Sequence, residues 1–394
     1  MDFTKLKNCM DMFVDKYNTP GVDCMVYRDH KPLFRYYAGH SDIENNKKMN
    51  GNELYFIYSL TKLITCTAAL QLYEQGKYLL SDPISMYLPE FEKMKITSLK
   101  LDADETKKIT SGNLTGGTEA AKEEGFAKNC ITVSHLFTMG AGLDYNLQTD
   151  AIKRSIAEGR TSTRDIVGAL SETVLSFEPG TRFRYSLCHD VLGALIEIWS
   201  GKKLGEYMKE NIFDPIGMKN TFFGTPKSEN RLDRMAALYA CLPDGTIERK
   251  PQVNFCNITD EYESGGGGLT SDVEDYAMFL DTLACGGLAA NGNRILSPYT
   301  VDLMRTNRLS GAPLADFSNA RAGYGYGLGV RTHIDKVKSG SLSPLGEFGW
   351  DGAAGAFAMV DVDNKLSLTY FQHVIGWKLR IQSEMRNALY ACLD

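Results

Sequence analysis

The chain has 394 residues, 43% of them apolar and 23% charged, enough for a large core or for two lobes around one cleft and too apolar for disorder. Its formal charge of −6 is spread without long like-charge blocks, which excludes the electrostatic footprint of a nucleic-acid or anionic-membrane binder.

The opening "MDFTKLKNCMDMFVDKY" predicts an amphipathic helix with Phe3, Leu6, Met10 and Phe13 on one side. Charges at Asp2, Lys5, Lys7 and Asp11 leave no apolar run for a signal peptide. No stretch approaches the roughly 20 apolar residues of a membrane helix. Nine scattered cysteines without a C-x-x-C pair, and six histidines without H-E-x-x-H, suggest neither a disulfide framework nor a zinc site. The expectation is a cytoplasmic protein.

Next, "VDCMVYRDHKPLFRYYAG" reads as two strands around an Asp-His-Lys turn, and a buried helix follows at 60–75. Residues 91–130, rich in Lys, Glu, Thr and Gly, read as an irregular insertion. From "ITVSHLFTMGAGL" to about residue 220 the pattern is mostly helical. It continues in "SDVEDYAMFLDTLA", where Ser271 and Glu274 suggest a capping box. The tail returns to strands in "GYGYGLGVRT", "GAFAMVDV" and "KLSLTYFQHV", then closes with a helix. Strands at both ends with helices between predict an α/β lobe from 1–80 and 225–394, and a mainly helical lobe from 81–224 inserted in it.

Two S-x-x-K tetrads occur, "SLTK" at 59–62 and "SGKK" at 200–203. Ser200 precedes Gly201 at a helix end, where Ser-Gly is ordinary turn chemistry. Ser59 instead opens a helix after an aromatic run, near the positive end of the helix dipole. Lys62 stands one turn on and shares its face, which continues through the small residues Cys66 and Ala69. Against a packed wall a lysine loses water, which favours its neutral, basic form. The alternative is a helix-capping serine and a solvent-facing lysine; spacing alone leaves both open.

In "FEPGTRFRYSLCHDVLGALIEIWSG" a Pro-Gly turn and a short extended piece place Tyr185 at a helix entrance, free to aim into a cleft or to pack. In "EFGWDGAAGAFAMVDV" Gly349, Gly352 and Gly355 interrupt a strand, marking a close approach by a ligand or a bulge. "SGGGGLTSD" lacks the P-loop lysine and reads as a tight connection between lobes. No G-x-S-x-G elbow is present, so the common α/β-hydrolase arrangement is excluded.

In this order the three constellations resemble the serine β-lactamase-related family: class C β-lactamases, D-alanyl-D-alanine peptidases and family VIII carboxylesterases. The likeness runs nearly the whole chain, from "SLTKLITCTAALQLYEQGKYLLSDPISMYLPEF" through "ITVSHLFTMGAGL", "FEPGTRFRYSLCHDVLGALIE" and "IFDPIGMKNTFF" to "SGGGGLTSDVEDYAMFL" and "ILSPYTVDLMRTNRL". It implies an α/β plus all-α fold with an antiparallel sheet flanked by helices, an inserted helical lobe and an active site between them. It further implies Ser59 as nucleophile, Lys62 as its partner in proton transfer and Tyr185 as general base and acid. The backbone N–H groups of Ser59 and Ala353 would form the oxyanion hole. Neither a cofactor nor a metal is implied, and oligomeric state is left unset.

The departures from the pattern bear on substrate. Lactamases and peptidases usually carry Tyr-x-Asn, whereas "YSL" puts Leu187 at the asparagine position. Their Lys-Thr-Gly or His-Thr-Gly is here Trp350, Asp351 and Gly352. Like charges about 4 Å apart repel by roughly 1–4 kcal/mol, so Asp351 is expected to disfavour substrate carboxylates while Trp350 offers an apolar wall. Family VIII esterases commonly carry Trp-Gly-Gly with Tyr-Ser-Val or Tyr-Ser-Leu, and the chain is nearer to them. The expected activity is hydrolysis of neutral small-molecule esters with small or medium acyl groups through an acyl-enzyme. Acyl transfer, amide hydrolysis of D-amino-acid or β-lactam substrates, and a lapsed binding protein are the alternatives.

Overall fold

Asp29 and His30, with φ of 49° and 64°, make the tight two-residue turn that joins β1 (Gly21–Arg28) to β2 (Lys31–Asp42). In this computed structural model, which describes residues 1–97, 125–224, 231–377 and 379–393, that hairpin is half of the frame. A two-residue β3 (Lys47–Lys48) lies beside β2. The other half comes from the tail: β4 (Tyr324–Tyr326), β5 (Arg331–His333), β6 (Phe348–Asp351), β7 (Phe357–Asp361) and β8 (Leu366–Phe371). They form one eight-stranded antiparallel sheet in the order β4-β5-β6-β7-β8-β1-β2-β3. The expected joining of both chain ends in one sheet is thereby met. The register Cys24↔Tyr370 and Met25↔Thr369 locks the first strand to the last.

Period two sorts the side chains of β1. Val22, Cys24 and Val26 face a core shared with helices α1 (Thr4–Tyr17) and α5 (Arg380–Tyr390), while Met25 faces the main core. Leu6, Met10 and Phe13 are the buried stripe of α1, as the periodicity predicts, and Ile381, Met385 and Leu389 are that of α5. Helix α2 (Thr61–Glu74) is buried without a break from Thr61 to Leu72, the mark of a helix packed on all sides. It lies against α3 (Cys188–Ser200), which ends at Gly201 in the left-handed region with φ of 73°. Helix α4 (Val273–Ala284) packs on β1, β7 and β8.

Two local expectations shift. The cap of α4 is Asp272, whose carboxylate accepts from the Asp275 N–H at 2.9 Å. Ser271 instead pairs with Tyr55 in a short ladder, so a single side-chain cap at Asp272 stands in place of the expected Ser271–Glu274 box. The ends of the 91–130 insertion are not irregular: Lys95–Ile96 pairs with both Gly125–Phe126 and Val174–Leu175. Its remainder, 98–124, lies outside the described residues. Among the described residues no helix is long and apolar enough to cross a membrane. The nine cysteines form no disulfide.

Candidate active site

Ser59 sits in a single 3₁₀ turn, Tyr58–Leu60, that runs straight into α2. Ahead of it Tyr58 adopts φ of 45°, a strained conformation for an aromatic residue that packing must hold. The Tyr58 ring stacks on Phe255 at 4.7 Å, and the Tyr276 hydroxyl donates to the Leu60 carbonyl at 2.8 Å. These contacts fix the nucleophile candidate at the helix entrance, as the sequence leads one to expect.

Lys62 is fully buried, which removes the solvent-facing alternative. Its amine lies 3.3 Å from Ser59 Oγ and donates to the Gly266 carbonyl at 2.6 Å and the Tyr145 hydroxyl at 3.5 Å. The glycine run at 265–268 is therefore part of the site and not merely a connection. A Cβ at Gly266 would collide with Asp190 and stand 3.3 Å from Lys62 Nζ, so this turn needs a bare α-carbon.

Tyr185 is brought over the lysine by two ion pairs. Arg182 forks onto Asp316, which also accepts from the Phe183 N–H at 3.1 Å, and Arg184 reaches Asp144 at 2.9 Å. Lys62 Nζ then lies 4.7 Å from the Tyr185 ring centroid and 5.2 Å from that of Tyr145. Tyr145 stacks on Tyr185 at 5.5 Å, and Trp350 also stacks on Tyr185 at 5.5 Å. The Trp350 indole N–H donates to the Tyr185 hydroxyl oxygen at 3.2 Å. Nothing in the sequence pattern singles out Tyr145, which stands two residues beyond the family-like segment ending in "GAGL".

The end of β6 closes against the nucleophile turn. A Cβ on Gly352 would lie 2.5 Å from the Ile57 carbonyl oxygen, so glycine permits the close approach that brings Ala353 to this side. The Ser59 and Ala353 N–H groups take part in no turn, loop or cap hydrogen bond, which leaves both as candidate oxyanion donors.

One substrate-side expectation changes. Asp351 does not stand as an uncompensated charge: its carboxylate accepts from Arg321 at 2.8 and 3.0 Å and from Gln382 at 3.0 Å. The Arg321 guanidinium also lies 5.0 Å from the Trp350 ring centroid. Leu187 is buried at the start of α3, in the same apolar cluster as Tyr185 and Trp350. Ser200 accepts from the Lys202 N–H in a turn at the far end of α3, separating the second S-x-x-K from this cluster.

Among the described residues one group could hold a metal ion: His30, Asp281 and Cys285, with ligand atoms within 4.8 Å of one another. Asp281 there already accepts from the His30 backbone N–H at 3.1 Å and shares a hydrogen bond with His30 Nδ1 at 2.7 Å. That group secures the β1–β2 turn against α4.

A long antiparallel sheet covered by helices, with a serine–lysine pair in a helix entrance against the end of β6, places the molecule in the class of β-lactamase-fold serine hydrolases. The chain belongs to the beta-lactamase family, whose model matches residues 6–381. Protein Rv1367c of Mycobacterium tuberculosis is 30% identical over 90% of this chain and 86% of its own. Esterase EstB of Burkholderia gladioli is 25% identical over 98% and 95%. Among solved structures, EstCE1, "a hydrolase with promiscuous acyltransferase activity", superposes with a TM-score of 0.76 at 23% identity, covering 98% of this chain and 97% of its own.

Proposed function

We propose that the protein is a carboxylesterase acting on neutral esters with small or medium acyl groups, through an acyl-enzyme on Ser59. The observation that carries this reading is the wall of the cluster. Where the lactamase pattern puts a carboxylate-binding cation, β6 presents an indole bonded to Tyr185, and the acid beside it is already paired with Arg321. An acyl group meets Trp350, Tyr145 and Tyr185, surfaces that favour apolar or aromatic contact over a carboxylate.

In the proposed reaction Ser59 Oγ attacks the ester carbonyl as its proton passes to the Lys62–Tyr185 pair. The carbonyl oxygen, gaining negative charge, is met by the Ser59 and Ala353 N–H groups. The Trp350 N–H supports charge developing on the Tyr185 oxygen while the proton is in transit. Tyr185 returns the proton to the departing alcohol, and water then releases the acid by the same path. The similarity to EstB, named an esterase, supports this choice. The description of EstCE1 supports a second reading, in which an alcohol replaces water.

A panel of p-nitrophenyl esters, nitrocefin and D-amino-acid amides tests the proposal. Short neutral esters should be turned over fastest, and added alcohol should divert part of the acyl group into a new ester only under the second reading. The cytoplasm is the proposed location, in keeping with nine cysteines of which none is paired.

A further inference from the structure

Asp190 is fully buried in the first turn of α3, five residues after Tyr185. One carboxylate oxygen is crowded with donors: the Tyr262 hydroxyl at 2.6 Å, the Ser264 hydroxyl at 2.6 Å and the Gly266 N–H at 3.3 Å. The other oxygen, Oδ2, has no hydrogen-bond partner. A buried carboxylate with a bare oxygen is costly unless a charge of opposite sign compensates it. Asp190 Oδ2 and Lys62 Nζ both lie beside the bare α-carbon of Gly266, each within 3.3 Å of where its Cβ would stand.

The other groups around the lysine carry no compensating charge. On its own helix burial pushes the Cys66 thiol up, and on the facing loops it raises Tyr145 and Tyr262 and lifts Cys256 to about 12. From α3, burial lifts Cys188 to about 11, while burial and then the charge of Lys62 push His189 down to about 3. Thiols, phenols and imidazole are thus neutral at pH 7, and Tyr185 stands over the amine with its ring. Among these neighbours Asp190 is the one carboxylate.

We propose that Asp190 is the counter-ion of Lys62 and a positioning residue for it. It acts by charge across Gly266 and by holding, through the Gly266 N–H, the turn whose carbonyl binds the lysine. Between turnovers its charge acts on the amine, and during attack it keeps that amine aimed at Ser59. This role rests on the hydrolase reading for its part in turnover, but the proposed charge compensation itself does not.

Asp190→Asn is isosteric, and its amide oxygen can keep the three donors. Because a nearby negative charge favours a protonated lysine, its removal should shift the ascending limb of the kcat/KM profile to lower pH by about one pH unit. The pH-independent rate above that limb should fall about tenfold as the amine loses its positioning. A loss of rate with the limb unmoved would reduce Asp190 to scaffolding and overturn the proposal. A second arm needs neither substrate nor a folded Asp190→Asn protein. In Lys62→Met, Asp190 is left buried and charged, so the variant should melt several degrees below wild type at pH 8. The deficit should shrink toward pH 5 as the carboxyl takes up a proton. Adding Asp190→Asn should restore the melting temperature. A deficit indifferent to pH would overturn the pairing, whatever the enzyme hydrolyses.

Discussion

Replacing Trp350 by Phe tests the part of the site that separates this chain from the lactamase pattern. The indole donates to Tyr185 at 3.2 Å between two side chains 5% and 7% exposed, so bulk water cannot replace the lost bond. A hydrogen bond to a group that becomes charged is worth about 1.5–3 kcal/mol, which is roughly 10- to 100-fold in kcat. Phenylalanine keeps a ring for the stacks on Tyr185 at 5.5 Å and Phe317 at 6.3 Å. The apolar wall therefore survives, and KM for p-nitrophenyl butyrate should change little. If the indole acts through the phenol, Trp350→Phe should cost nothing further in a Tyr185→Phe background, since the two then belong to one unit. Steady-state kinetics on the four proteins of this cycle decide it. An unchanged kcat in Trp350→Phe, or the same loss in both backgrounds, would refute the reasoning.

Tyr185→Phe and Lys62→Ala should each lower kcat by about 100-fold or more, and the double variant should be little worse than either alone; a fully active Tyr185→Phe enzyme contradicts the proposed role. The wild type should turn over nitrocefin poorly, and Asp351→Asn, by freeing Arg321 beside Trp350, should raise kcat/KM for anionic β-lactams by up to about tenfold, roughly 1.4 kcal/mol. That variant should also melt lower, because breaking a buried ion pair costs about 3–5 kcal/mol; a folded variant with no gain on nitrocefin rejects the charge argument. Burial holds His373 down to about 4 from the ordinary 6.5, so the folded protein resists a proton that the unfolded chain accepts, and stability falls as pH drops through that window. His373→Asn, which can still donate to the Ala236 carbonyl, should flatten denaturant-measured stability between those limits by up to about 3 kcal/mol; a profile identical to wild type would contradict this.

What the sequence made legible was local chemistry. Ser59 and Lys62 are one helical turn apart, so their contact follows from spacing once the helix is recognised. The α1 stripe and the β1–β2 turn likewise depend on neighbours along the chain. What escaped was long-range pairing. Asp351 reads as a bare negative charge until Arg321 and Gln382, 30 and 31 residues away, fold onto it. The glycine run reads as a connector because a backbone carbonyl leaves no trace in a sequence, yet Gly266 holds the lysine. Tyr145 lies in a loop without periodicity, and only the fold stacks it on Tyr185. The α4 cap slipped by one residue because Ser271 is claimed by the ladder with Tyr55, leaving Asp272 to cap.

The central claim is that Ser59 carries the acyl group, and intact-protein and peptide mass spectrometry after quenching with a slow ester or a fluorophosphonate tests it directly. One adduct is expected, on the peptide containing Ser59, absent from Ser59→Ala, which should melt like wild type and hydrolyse nothing measurable. An adduct on Ser200, the serine of the second S-x-x-K, or steady turnover by folded Ser59→Ala, would contradict the account.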